Sequence, residues 1–233
     1  YRPHLILAGR SPLPPEQEAA ETAGLTEPAQ IKAALIATVR HESGALDIAE
    51  VERRYGRLMA EREMRHTLAK LRAVGATVSY QQADMTKEAD VAALFDRIYH
   101  EHGRLDGVVH GAGIIADKLV TDKAVEDFDR VLRTKTASSY LLARHLRPEK
   151  GLRFVALFAS VAGRFGNRGQ SDYAAANETM AKTAQWLNRR WPAHVVALHW
   201  GPWQQGMADP VVQKAFAERG VQIIAPLQGR IAF

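Results

Sequence analysis

Five short apolar runs, separated by stretches with helical spacing, set the strongest limit on what this chain can fold into. They lie at residues 4–8, 77–80, 107–109, 154–158 and 195–198. Runs of this length bounded by amphipathic segments read as buried strands. Strands that alternate with helices form a parallel sheet covered on both faces, so the fold class is α/β with a Rossmann-like, doubly wound sheet.

The clearest helix between strands covers residues 87–102. Val91, Leu94, Phe95 and Ile98 recur at i, i+3, i+4 and i+7 and form its core-facing stripe. Thr86 is expected to cap it, Glu88 and Asp90 suit its positive end, and Gly103 ends it. One segment is too long for a single crossover. From Ser11 to about Leu71 the chain passes through the Pro-rich stretch Ser11-Pro12-Leu13-Pro14-Pro15 and then through polar and amphipathic sequence rich in Ala, Glu and Arg. This reads as a helical insertion of two or three helices at about residues 12–70, a surface embellishment or a contact with neighbouring domains.

Bulk properties narrow the function classes. With 46% apolar residues over 233 positions, the chain can bury an ordinary core. It has no cysteine, so disulfides, thiolate metal sites and thiol redox chemistry are excluded, and a cytoplasmic location suits it. No apolar stretch reaches the roughly 20 residues of a membrane span. The net charge of +5 comes from 31 basic and 26 acidic residues interleaved along the chain. A nucleic-acid binder gathers its basic residues on one face, so no nucleic-acid partner is expected; an anionic cofactor or an acidic protein partner fits the excess.

The chemistry-bearing residues cluster late in the sequence. Ser160 follows the strand at 154–158, at the carboxyl edge of a parallel sheet where ligands bind. After a Gly-rich stretch comes a helix in which Tyr173 and Asn177, at i and i+4, share a face. Reducing a carbonyl requires a proton donor to the oxygen and hydrogen bonds that stabilise its developing charge, and Tyr and Ser supply both. A free phenol has a pKa of about 10, so a nearby ammonium is expected to draw Tyr173 down towards a working pH. Lys135 is the candidate: it falls on the inward stripe with Phe128, Val131 and Leu132, where an unpartnered Lys is uncommon.

Taken together, Ser160, Tyr173, Asn177 and Lys135 resemble the active site of synthase ketoreductases, a branch of the short-chain dehydrogenase/reductase superfamily. In most members of that superfamily the Lys follows Tyr on the same helix and the Asn sits on the earlier one; here the two are exchanged, as is typical of the ketoreductase domains of modular polyketide and polyunsaturated-fatty-acid synthases. The resemblance implies further roles. Arg10 and Ser11, in Leu7-Ala8-Gly9-Arg10-Ser11, would meet the 2′-phosphate of NADPH, which is therefore preferred over NADH. Asp84 resembles the residue beside the adenine. Gly111, Ala112 and Gly113, after His110, resemble the small-residue turn where backbone approaches the cofactor. Pro202 and Trp203, in His199-Trp200-Gly201-Pro202-Trp203, resemble the segment bordering the nicotinamide, and residues 204–221 resemble the mobile substrate lid. Asp117, the last residue of Ile115-Ala116-Asp117, and Phe165 occupy positions tied to stereocontrol, and imply the D (3R) alcohol.

The resemblance also implies a first strand and a Gly-rich turn ahead of Tyr1, and no Gly-x-Gly-x-x-Gly occurs in the chain. The expectation is a ketoreductase catalytic domain over residues 1–233 that is a fragment of a larger multidomain synthase. Such a domain reduces a β-ketoacyl thioester on an acyl carrier protein with NADPH, among neighbouring synthase domains. A non-catalytic structural domain of a synthase and a free-standing reductase of small ketones are the alternative readings.

Overall fold

The computed structural model describes residues 3–204, 210–218 and 220–233. The chain divides into two units, Tyr1–Ala83 and Asp84–Phe233, and each contains one parallel sheet. All five apolar runs become strands, extended by one to three residues.

In the first unit, β1 (His4–Gly9) pairs in parallel with β2 (Thr77–Gln82), from His4 opposite Thr77 to Gly9 opposite Gln82. The connection holds two helices, α1 (Pro28–Ser43) and α2 (Ile48–Ala73). Pro28 opens α1, where its missing N–H costs nothing, and the Asp47 carboxylate caps α2 by accepting from the Glu50 N–H at 3.0 Å. The hairpin has a core of its own: Ile31, Leu35 and Val39 on α1 and Val51 and Leu58 on α2 are buried together, with Tyr55 packed against them. Arg62 donates to both carboxylate oxygens of Glu18 (2.8 and 2.6 Å) and to the Thr22 carbonyl (3.0 Å), tying the stretch ahead of α1 to α2. The helical part of this connection runs from 28 to 73, with α2 ending a few residues before β2.

In the second unit, β3 (Gly107–His110), β4 (Phe154–Ser160) and β5 (His194–Trp200) form a parallel sheet in that order. α3 (Glu88–His102) precedes them, and between and after them come α4 (Val125–His145), a short α5 (Ala162–Phe165), α6 (Ser171–Asn188), α7 (Pro210–Glu218) and α8 (Pro226–Ala232). Val91, Leu94, Phe95 and Ile98 are buried as the spacing requires, and Gly103 closes α3 at φ 69°, a left-handed position that glycine adopts without a Cβ clash. The expected Thr86 cap is corrected: Lys87 is the N-cap and makes no side-chain capping bond. The hydroxyl of Thr86 donates instead to Asp84 Oδ1 at 2.7 Å, and the Thr86 N–H bonds the same oxygen at 3.0 Å, so a local turn has captured the group.

α4 and α6 pack together and both bury small side chains, Ser138 and Ser139 on one and Ala176, Ala181 and Ala184 on the other. The two serine hydroxyls are satisfied by carbonyls of their own helix, Thr134 at 2.6 Å and Thr136 at 3.1 Å, so their burial leaves no orphaned donor. α6 also packs on β4 and β5, and α5 packs on α6. This arrangement brings the end of β4 and the start of α6 together.

Candidate active site

Ser160 is the last residue of β4. Its Oγ accepts the Ala162 N–H at 3.2 Å, and its carbonyl lies 3.1 Å from Nδ1 of His199 on the neighbouring strand. Tyr173 and Asn177 lie one turn apart on α6. Asn177 is fully buried; its Nδ2 donates to the Tyr173 carbonyl at 2.8 Å, while its Oδ1 is buried without a partner among the described residues. Burial pushes the Tyr173 phenol up. Hydrogen bonding by the Asn177 and Ser160 side chains works against that rise, and the negative charge of Asp117 adds to it. Of the three residues expected to work together, Tyr173 and Asn177 are joined through the Tyr173 carbonyl, and Ser160 ends the strand on which their helix packs.

Lys135 is only 4% exposed, and its Nζ donates to the carbonyl of Phe158, two residues before Ser160 on β4, at 2.8 Å. Burial brings its ammonium down from 10.5 to about 8. The expectation that Lys135 would draw the phenol down is corrected: desolvation outweighs the donors around Tyr173, which is raised. Around neutral pH, Lys135 is cationic and Tyr173 holds its proton.

The turn after β3 carries Gly111, Ala112 and Gly113. His110, just before it, is buried, with Nε2 2.8 Å from Ser138 Oγ. Burial, and secondarily the Lys135 charge, bring this imidazole down to about 4, so it is neutral. Asp117 accepts from Gln170 Nε2 at 2.8 Å, which ties it to the loop before α6. Phe165, at the end of α5, is 87% exposed. Pro202 and Trp203 follow β5; the Pro202 carbonyl accepts from Ile224 N–H at 2.8 Å, and the Trp203 ring stacks edge-on against Trp200 with centroids 5.0 Å apart. Residues 204–221, read as a lid, lie in part outside the described residues. In the first unit, Arg10 and Ser11 follow β1 and are exposed, with their carbonyls bonded by Gln82 Nε2 and the Tyr80 hydroxyl. Asp84 opens the second unit.

Four residues escaped the sequence reading. Lys123 and Asp172 form an ion pair of 2.5 Å with both side chains 1% exposed, Gln170 holds Asp117, and Gly163 leaves room for Asn177. An added Cβ at Gly163 would lie 3.0 Å from the Glu178 nitrogen and 3.1 Å from Asn177 Cβ. Asp172 has a local signal, an acid in a helix's first turn next to the key Tyr. Lys123 has none, because only the folded chain brings its loop to α6.

No group of three or more His, Cys, Asp or Glu residues that could hold a metal occurs among the described residues, and no helix there is long and apolar enough to cross a membrane.

The profile of the KR domain family matches residues 33–205. The chain is 38% identical over 175 residues to a polyunsaturated fatty acid synthase component of Thraustochytrium sp., covering 75% of this chain and 6% of that protein. It is 31% identical over 219 residues to erythronolide synthase EryA2 of Saccharopolyspora erythraea, covering 91% of this chain and again 6% of the relative. An N-terminal ketoreductase from the macrolactin assembly line superposes with a TM-score of 0.66 at 29% identity, over 74% of this chain and 34% of that one. The chain thus spans a small part of the synthases it resembles. This chain belongs to the KR domain family, the ketoreductase branch of the short-chain dehydrogenase/reductase superfamily found in polyketide and polyunsaturated-fatty-acid synthases.

Proposed function

We propose that this chain reduces the ketone of a β-ketoacyl thioester, carried on an acyl carrier protein, to the β-hydroxyacyl thioester, with NADPH as reductant. Residues 1–233 are read as the catalytic part of a synthase ketoreductase, with the insertion at about 12–70 and neighbouring synthase domains as partners. The observation that carries this reading is the placement of Tyr173 one turn from the fully buried Asn177 on α6, which packs on the strand that ends at Ser160.

Two features of the chain fit a dinucleotide. An added Cβ at Gly111 would meet nothing closer than the Phe158 ring at 4.0 Å, so the turn after β3 has open room for a ligand. The exposed Arg10 guanidinium has no acidic partner among the described residues and is suited to a phosphate. Arg10 and Ser11 would hold the 2′-phosphate, Asp84 the adenine end, and Gly111, Ala112, Gly113, Pro202 and Trp203 the nicotinamide end. Bound NADPH supplies the hydride that the ketone carbon accepts.

The protein's own residues handle the oxygen. Ser160 hydrogen-bonds the ketone oxygen as its negative charge develops, and Tyr173, protonated at neutral pH, gives that oxygen its proton. Lys135, bonded to the Phe158 carbonyl, would hold the end of β4 that carries Ser160. The unpartnered Oδ1 of Asn177 accepts from the group that returns a proton to the site. Asp117 and Phe165 would govern which face of the ketone is presented, with the D (3R) alcohol as product. The absence of cysteine fits work in the reducing cytoplasm.

The test is NADPH oxidation by the full-length protein with a β-ketoacyl pantetheine thioester, alongside Tyr173→Phe. The reading expects turnover that falls by about 100-fold or more in the variant, with NADPH binding retained. Absence of turnover and of NADPH binding in the unaltered protein rejects the reductase; equal turnover in Tyr173→Phe rejects Tyr173 as the proton donor.

A further inference from the structure

The Lys123–Asp172 pair is among the most deeply buried charged contacts of the described chain. Its partners come from the two segments that frame the candidate site: the stretch after β3 that carries Asp117, and the first turn of α6 that carries Tyr173. Asp172 Oδ1 accepts from Lys123 Nζ at 2.5 Å and from the Tyr173 N–H at 2.8 Å. Lys123 Nζ also reaches the Gly169 carbonyl at 3.4 Å, and that carbonyl accepts the Lys118 N–H at 3.1 Å. Gln170 Nε2 completes the set with its bond to Asp117 Oδ2 at 2.8 Å. Four links thus join residues 117–123 to residues 169–172, and in the ion pair both side chains are 1% exposed.

Taking two charges out of water is costly, and a buried pair often adds little net stability compared with apolar residues of similar size. What such a pair does supply is a fixed separation, because neither charge can leave its partner without facing the interior alone. Here that separation sets how far the backbone nitrogen of Tyr173 stands from the Asp117 loop.

We infer that Lys123 and Asp172 are a positioning pair for the ketone reduction, holding the Tyr173 end of α6 in register with the loop that presents Asp117, and through it controlling both turnover and the handedness of the product. This rests on the reductase reading above.

The decisive variant replaces both partners, Lys123→Met with Asp172→Asn, in the full-length protein. It leaves no unpaired buried charge, and the asparagine keeps an acceptor for the Tyr173 N–H. Melting temperature, kcat and KM for a β-ketoacyl pantetheine thioester, and the enantiomer ratio of the alcohol are measured together. The inference expects a melting temperature close to that of the unaltered protein, kcat lowered about 10- to 100-fold with KM little changed, and a shifted enantiomer ratio, as a small misplacement of a reacting group produces. Unchanged kcat per folded molecule with an unchanged enantiomer ratio would show a purely structural pair and overturn it. Should the double variant not fold, Lys123→Arg takes its place, since it keeps the charge but alters the reach: lowered kcat in a stable protein supports the inference, and full kcat with the parental enantiomer ratio overturns it. If the unaltered protein itself turns nothing over, the reductase reading fails and this inference falls with it.

Discussion

Lys135 reaches from α4 to the carbonyl of Phe158 on β4, a bond of 2.8 Å made by a lysine that is almost wholly buried. The ammonium is placed two residues short of Ser160, and it is kept in a medium that disfavours its charge.

The pH behaviour follows from that burial. The folded pKa is about 8 against an ordinary 10.5, so between those values the unfolded chain binds a proton that the folded chain does not. Stability contributed by this group is therefore fully present above about 10.5 and is lost as pH falls through 8, by up to about 3 kcal/mol. Urea unfolding of the parent protein and of Lys135→Met across pH 7.5 to 10.5 should show a steeper rise with pH in the parent. Reductase activity should run the opposite way, falling above about pH 8 as the ammonium is lost, and Lys135→Met should lose about 100-fold in kcat.

His110 titrates on the acid side by the same logic. Its folded pKa of about 4 lies below the unfolded 6.5, so stability is intact above 6.5 and drains away as pH drops towards 4. His110→Asn removes the titrating group and should flatten that loss. Chemical denaturation at pH 7 and pH 4.5 measures it, and equal acid sensitivity in both proteins contradicts the assignment.

Gly163→Ala should act on Asn177 at a distance of one van der Waals contact. The added methyl would press on the Glu178 nitrogen and on Asn177 Cβ and carbonyl carbon, at 3.0 to 3.2 Å, and helix backbone cannot yield as a flexible side chain would. A destabilisation of about 1–3 kcal/mol is expected, with kcat lowered further than the change in folded fraction explains. Thermal melts paired with kcat per folded molecule separate the two effects.

In the α1–α2 hairpin, Ile31→Ala should cost about 2–5 kcal/mol of local stability, because Ile31 is 1% exposed at the centre of the cluster with Leu35, Val39, Val51 and Leu58. Hydrogen exchange read residue by residue should show the loss of protection over residues 28–73.

Much of this architecture was legible because strands and amphipathic helices leave periodic marks. The apolar runs marked all five strands, and the stripe from Val91 to Ile98 and the glycine at 103 marked α3. Lys135 betrayed itself as a charge on an apolar stripe, and Tyr173 and Asn177 as a pair at helical spacing. What stayed hidden depends on contacts between distant segments or on competition between nearby groups. Thr86 is a good capping residue by type, yet the Asp84 carboxylate two residues earlier holds its hydroxyl. No Gly or Pro falls between Arg57 and Ala73, so nothing in the sequence marks where an insertion ends and an ordinary crossover helix begins. The rise of the Tyr173 phenol reflects desolvation, which a sequence does not encode locally. The Lys123–Asp172 pair joins a loop to the first turn of α6, and their meeting is a property of the fold.

The hairpin core described above bears on how this region can vary. Closing a longer connection costs only about 0.6 kcal/mol for each doubling of its length, and the cluster around Ile31 lets the added residues repay their own ordering. The six-residue register of β1 and β2 therefore carries none of the burden of the long excursion between them. Such a connector behaves as cargo on the strand pair, free to be trimmed, lengthened or exchanged over generations while the strands keep their alignment.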